Sequence, residues 1–247
     1  MSDLGCRFEL LPNGQIRYAR DGSSLAPRMP LWLARHGQTH VNGLRDESGW
    51  ANSGRDDELN QLTELGRRQA DVLADALFQA MRAELSGAQR FVVCTSALSR
   101  ARETATPFIE RLHQHGHAPE VRSFASLDEI DLGEWSNRRP SDLAPVERER
   151  LDRFRFGADA SLRAPGGESF LDLLERTACA LDALNATHAN DTVVVFTHAT
   201  TISAMRMHAR EPLFEDESGI LRWTGKAIGS ADYLRFDPAS GRYLKPT

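Results

Sequence analysis

Two arginines and two histidines follow apolar runs of strand length in this sequence. Arg35 and His36 come directly after LWLA (31–34) and before Gly37, Arg100 comes shortly after FVVCT (91–95), and His198 directly follows TVVVFT (192–197). Arginine stays cationic at any working pH, and histidine gains or loses its proton near neutrality. Four such groups in one place repel one another unless an anion lies among them. A phosphoryl group would supply that charge, and a guanidinium meets its oxygens in a two-pronged geometry that lysine cannot reproduce. A lone histidine after a strand is ordinarily a surface or satisfied core residue. Recurrence at three run ends separates these residues from that reading.

The elements that must position them alternate along the chain. Strand-length apolar runs at 31–34, 91–95 and 192–197 are separated by helix-period stripes. The first stripe is Leu65, Ala70, Leu73, Ala74, Leu77, Met81 and Leu85, stopped by Gly87. The second is Ala101, Ala105, Phe108, Ile109 and Leu112, ending near Gly116, and the third runs from Phe170 through Leu184. This alternation predicts an α/β fold of three layers, α/β/α, with a mostly parallel central sheet covered on both faces. Parallel strands point the same way, so Arg35, His36, Arg100 and His198 gather at the carboxyl edge, where open α/β sheets bind ligands. The segment after CTS adds a helix N-terminus that favours an anion. SFASLDE (123–129) is a weaker strand, and ADYLRFDPASGRYL (231–244) reads as a hairpin around Asp237 to Gly241. Residues 131–167 have poor periodicity and frequent Pro, Gly and Arg, which predicts an inserted cap where substrate choice is made. Residues 1–29 precede the 30–247 domain and contain RFELLPNGQIRY, a hairpin around Pro12-Asn13-Gly14 that would serve as an added sheet edge or as a contact between copies in a homodimer.

Composition bounds the partners. The chain has 247 residues, 40% hydrophobic and 26% charged, with a net charge of −5, enough for one sizeable core. The arginines are dispersed, so no nucleic-acid footprint is expected. Cys6, Cys94 and Cys179 are an odd, widely spaced set that suits idle thiols in a reducing compartment. No apolar run in the first thirty residues has signal-peptide length, and no stretch approaches the ~18 residues of a membrane span. The expectation is a cytoplasmic protein without membrane contact.

Five motifs fall in an order that resembles one known family. Arg35-His36-Gly37-Gln38-Thr39 with Asn42, TSALSRARETA with Arg100, LDEIDLGEW with Glu129, PGGES before a long helix, and VVVFTHATTIS with His198 together span residues 31–202. This series is similar to that of the histidine phosphatase superfamily, the phosphoglycerate mutase-like proteins. The resemblance implies that His36 is a nucleophile forming a phosphohistidine, its other ring nitrogen protonated on a backbone carbonyl. Gly37 would leave room for the phosphorus to approach. Arg35, Arg100 and His198 would clamp the phosphoryl oxygens, Asn42 would add a neutral donor, and Glu129 would be the general acid, kept protonated by its acidic flanks Asp128 and Asp131. The substrate implied is a small phosphorylated metabolite, with no cofactor and no metal. Asp128, Ile130 and Asp131 beside Glu129 supply no cation for a phosphoglycerate, which points to the phosphatase branch. Mutase-type transfer is the alternative, kept open by Arg148 through Arg155, and a phosphate-binding module that has lost catalysis is a second.

Several features have plainer readings. His40 follows His36 by four residues, but on a loop it would face solvent or the substrate rim. HQHGH (113–117) ends a helix, where histidines meet the carbonyl end of the dipole. Trp50 either lines the pocket mouth or packs its loop. The stretch between Arg45 and Leu62 is long and polar. THAT at 197–200 replaces the glycine that often follows the second histidine in relatives, which would narrow the space beside the phosphate.

Overall fold

The runs at 31–35, 91–96 and 192–197 are buried almost throughout, because apolar side chains at successive positions need cover on both faces of a sheet. The computed structural model describes residues 3–48, 51, 54–87, 90–226 and 228–245. Trp50 lies outside them. The described strands are β1 (Phe8–Leu10), β2 (Ile16–Tyr18), β3 (Leu31–Arg35), β4 (Phe91–Ser96), β5 (Glu120–Phe124), β6 (Thr192–Thr197), β7 (Tyr233–Asp237) and β8 (Arg242–Leu244). The helices are α1 (His40–Ser48), α2 (Glu64–Ala80), α3 (Arg82–Leu85), α4 (Ser99–Gln114), α5 (Pro145–Arg155), α6 (Phe170–Thr187) and α7 (Ala199–His208).

The main sheet runs β5-β4-β6-β3-β7-β8. Its first four strands are mutually parallel, and β7 and β8 add an antiparallel hairpin, with Gly241 at φ +67° in its turn. The mostly parallel α/β sheet is therefore as the sequence predicts. Strand alternation divides the core in two. Trp32, Ala34, Val93 and Val194 face Leu73, Leu77 and Phe108 of α2 and α4, while Leu31, Leu33, Val92 and Val195 face Leu181, Ile202 and Met205 of α6 and α7. Burial of each leucine, valine, isoleucine, methionine or phenylalanine among them contributes about 1.5–3 kcal/mol. Among the described residues no helix is long and apolar enough to cross a membrane.

Local departures from the sequence reading have local causes. The first stripe ends as α2 at Ala80; Met81 leaves helical geometry at ψ 11°, and Arg82–Leu85 forms a separate turn. Leu65 is exposed. The weak strand lies earlier than SFASLDE, at Glu120–Phe124, because residues 125–127 tighten into a 3₁₀ turn. His40 does not sit on a loop but opens α1.

The N-terminal hairpin adds no edge to the main sheet. β1 and β2 form their own two-stranded sheet. Ala160 N–H donates to Gly14 O (2.7 Å), and Phe8 and Ile16 share a third core cluster with Trp135, Leu151, Phe154 and Phe170. The 131–167 segment therefore rests on both the hairpin and α6. Trp223 stacks on Phe170 beneath it, with ring centroids 4.3 Å apart.

Candidate active site

The parallel register places the end of β3 beside the end of β6: Arg35 lies opposite Thr197, and His36 N–H continues the ladder by donating to Thr197 O (3.0 Å). His36 and His198 are thereby neighbours, both fully buried, with ring centroids 5.0 Å apart. Nδ1 of His36 lies 2.7 Å from Gly37 O, and its Nε2 has no hydrogen-bond partner. A carbonyl can only accept, so Nδ1 carries the proton and Nε2 the lone pair. Burial, with the charges of Arg100 and Arg35 adding to it, holds the His36 pKa well below 6.5 and keeps that lone pair open.

Gly37 is required for a reason other than access to phosphorus. A Cβ there would stand 2.3 Å from Gly66 O, so the glycine lets the backbone after β3 pack against the first turn of α2. Thr63 caps that helix by accepting Gly66 N–H (2.9 Å) while its hydroxyl meets Gln38. From the other side Gly37 N–H donates to Thr104 Oγ1 (3.1 Å), whose hydroxyl donates to Arg100 O (2.7 Å). His36 is thus held between α2 and α4.

Arg100 is buried in the first turn of α4 and donates to Arg55 O (2.9 Å). Burial lowers its pKa, and Glu129, Asp56, Asp128 and Asp57 oppose that, so its guanidinium stays charged. Arg35 donates to Ile228 O (2.7 Å), and its charge acts on both histidines. Asn42, in α1, accepts from Thr39 N–H (3.2 Å) and Thr39 Oγ1 (2.9 Å), so any contact it makes with an anion is through its amide N–H groups.

Glu129 is buried, and its carboxylate accepts from Ile130 N–H (3.0 Å) and from Thr200 N–H (3.2 Å) in the first turn of α7. His198 is the N-cap of that helix, so one helix start orients His198 and Glu129 together. The acidic flanks are not idle beside Glu129: Asp128 binds Ser96 and Ala97 N–H, and Asp131 binds Gly133 N–H (2.8 Å). The PGGES loop packs backbone to backbone here, since a Cβ on Gly167 would lie 2.5 Å from Asp131 O. Arg176 ties the segment down, bidentate to Glu168 and donating to Asp128 O (2.7 Å) and Ser126 O (3.1 Å).

Reading residues in sequence missed Ser96, Thr104 and Arg176. Ser96 was legible as the polar end of β4; the other two act through pairings between distant segments. His40 is exposed, His115 Nδ1 lies 2.9 Å from Arg111 O at the end of α4, and His117 packs edge-on against Phe91. Among the described residues, no group of three His, Cys, Asp or Glu is placed to hold a metal ion. Cys6, Cys94 and Cys179 are free thiols.

Known proteins resemble this chain in sequence and in fold. A bifunctional protein of Mycobacterium tuberculosis is 33% identical over 175 residues, which are 71% of this chain but 42% of that protein, so the chain spans under half of that relative's length. A 2,3-bisphosphoglycerate-dependent phosphoglycerate mutase of a Methylobacterium is 31% identical over 201 residues, 79% of this chain and 87% of the relative. A mycobacterial glucosyl-3-phosphoglycerate phosphatase shares the fold at a TM-score of 0.62 and 23% identity, over 85% of this chain and 90% of that one. The histidine phosphatase superfamily (branch 1) matches residues 31–217, well over half the sequence, and the chain belongs to that superfamily of phosphatases and mutases.

Proposed function

We propose that the protein is a phosphomonoester hydrolase that passes a phosphoryl group from a small phosphorylated metabolite through His36 to water. The observation that carries this reading is the buried, unpartnered Nε2 of His36, its tautomer fixed by Gly37 O, beside Arg35, Arg100 and His198. Nε2 attacks phosphorus as the bond from phosphorus to the ester oxygen breaks. Arg35, Arg100, His198 and the amide of Asn42 hold the phosphoryl oxygens as charge redistributes, at about 1.5–3 kcal/mol for each charge-assisted bond. Glu129 gives its proton to the departing alkoxide, then takes one from the water that attacks the phosphohistidine, so the second step restores His36 and the acid.

Water is favoured as acceptor because three of the cap arginines are engaged within the cap. Arg148 donates to Pro140 O, Arg150 to Glu147 and Arg163 O, and Arg153 to Asp159. The mutase reading draws on the Methylobacterium relative. Incubation with 3-phosphoglycerate and a trace of bisphosphoglycerate separates the two, alongside a panel of sugar phosphates, phosphoserine and an aryl phosphate. Inorganic phosphate release is expected. Rapid formation of 2-phosphoglycerate with little free phosphate would establish a mutase, and phosphate binding without any turnover would establish a binding module.

A further inference from the structure

Ser96, the last residue of β4, has its hydroxyl surrounded by three groups. Leu98 N–H donates to it (3.1 Å), Asp128 Oδ1 lies 2.6 Å away, and His198 Nε2 lies 2.8 Å away. Asp128 Oδ1 also receives Ala97 N–H (2.7 Å), which fixes that oxygen in place as an acceptor. A hydroxyl has one proton and two lone pairs, and an ionised carboxylate can only accept. The Ser96 proton therefore goes to Asp128, one Ser96 lone pair takes Leu98 N–H, and the other must take a proton from His198. His198 is held with its proton on Nε2, and its buried Nδ1, which has no partner, is left with a lone pair.

A lone pair cannot bind the oxygen of an anion. We infer that Asp128, acting through Ser96, is a positioning residue that fixes the tautomer of His198, so that binding of a tetrahedral dianion draws one proton from solvent onto His198 Nδ1. The inference rests on the pocket being the phosphoryl site proposed above. Burial first, and then the charges of Arg100, Arg176 and Arg35 with His36 beside it, keep His198 neutral in the free protein. A dianion among those arginines reverses the balance. Asp128 then faces an imidazolium across Ser96, and its charge stabilises the form in which His198 donates.

Imidazole ¹⁵N NMR of the free protein at pH 7.5, with His198 assigned through His198→Asn, is expected to show the neutral Nε2–H tautomer; an Nδ1–H tautomer or an imidazolium would overturn the inference. Calorimetry with sulfate, which keeps its charge across the neutral range, in buffers of different ionisation enthalpy is expected to show uptake of about one proton in His36→Asn, where His198 is the remaining imidazole of the pair. Sulfate binding without uptake would overturn the inference and leave the phosphoryl site standing; failure of the unmutated protein to bind sulfate or phosphate would overturn both. Asp128→Asn keeps an acceptor for Ser96 and removes the charge. It is expected to preserve the Nε2–H tautomer while moving the pH midpoint of sulfate affinity down by about one unit. An unmoved midpoint would show that the Asp128 charge has no part in it.

Discussion

His36 and His198 face each other at 5.0 Å between ring centroids and 56° between ring planes, and each leaves one buried nitrogen without a partner. The two rings are prepared differently. Gly37 O puts the His36 proton on Nδ1, whereas Ser96 draws the His198 proton to Nε2. A pair of identical side chains thereby offers opposite nitrogens to whatever lies between them.

Nucleophilic use of His36 Nε2 leaves a chemical trace. Enzyme mixed with ³²P-labelled substrate and quenched in denaturant should carry label that is stable to base and lost in acid. His36→Asn should carry none and should lose more than about 10³-fold in kcat. Full turnover by that variant would rule out the phosphohistidine route.

The depressed pKa values of His36 and His198 make folding pH-dependent with a definite sign. Below about 6.5 these histidines bind protons in the unfolded chain but not in the folded one, so stability falls as pH drops from 7.5 towards 5.5 and is unaffected by them well above 6.5. Thermal unfolding across that range should show the fall, and sulfate or phosphate should reverse part of it by pairing the cationic form. His36→Asn should flatten the slope; an unchanged slope would assign the effect to other groups.

In the proposed route positive charge comes from Arg35 and Arg100, with His198 protonated when an anion binds, so no metal ion takes part. Hydrolysis should survive prolonged dialysis against a chelator. Activity lost in chelator and restored by zinc or magnesium would move the chemistry to a metal-dependent mechanism.

Much of this was legible in the sequence for a simple reason. Of Arg35, His36, Arg100 and His198, three sit within one helical turn of a strand end, and a parallel sheet brings strand ends together whatever the intervening chain does. Periodicity found β3, β4 and β6 because both of their faces are buried. It misplaced β5, an edge strand whose residues are largely exposed and carry little apolar signal. The hairpin at the N-terminus was readable from Asn13-Gly14, but its docking on the 131–167 segment depends on Asp159 and Ala160, far away in sequence. The Asp128–Ser96–His198 chain has the same character: His198 and Asp128 were readable singly, but their link through Ser96 joins three segments that only the fold brings together.

Glu129 is expected to matter in proportion to how poor the leaving group is. Glu129→Gln keeps the side chain's shape and an acceptor for Thr200 N–H but has no proton to give at neutral pH. Hydrolysis of alkyl phosphates should slow by about 10²–10⁴-fold, and of an aryl phosphate much less. Equal losses on both would show that Glu129 holds the site rather than protonating the leaving group.

The tightest constraint on the position of His36 is steric. A Cβ on Gly37 would lie 2.3 Å from Gly66 O, and one on Gly66 would lie 2.1 Å from Gln38 O, so two backbones touch where neither can acquire a side chain. Both clashes are with main-chain atoms, which no rotamer change relieves. Gly37→Ala must therefore push α2 away from the loop after β3, breaking the cap contacts between Thr63 and Gln38 and tilting His36 out of line with Arg100. The expected cost is about 1–3 kcal/mol, read as a melting temperature lower by about 2–4 °C for each kcal/mol in a chain of this size. Gly43→Ala is the matched control, because a Cβ there meets nothing within 4 Å and alanine suits the α1 interior; it should be neutral or stabilising by up to ~1 kcal/mol. If Gly37→Ala melts with the unmutated protein and keeps its kcat, the contact between the β3 loop and α2 does not position His36.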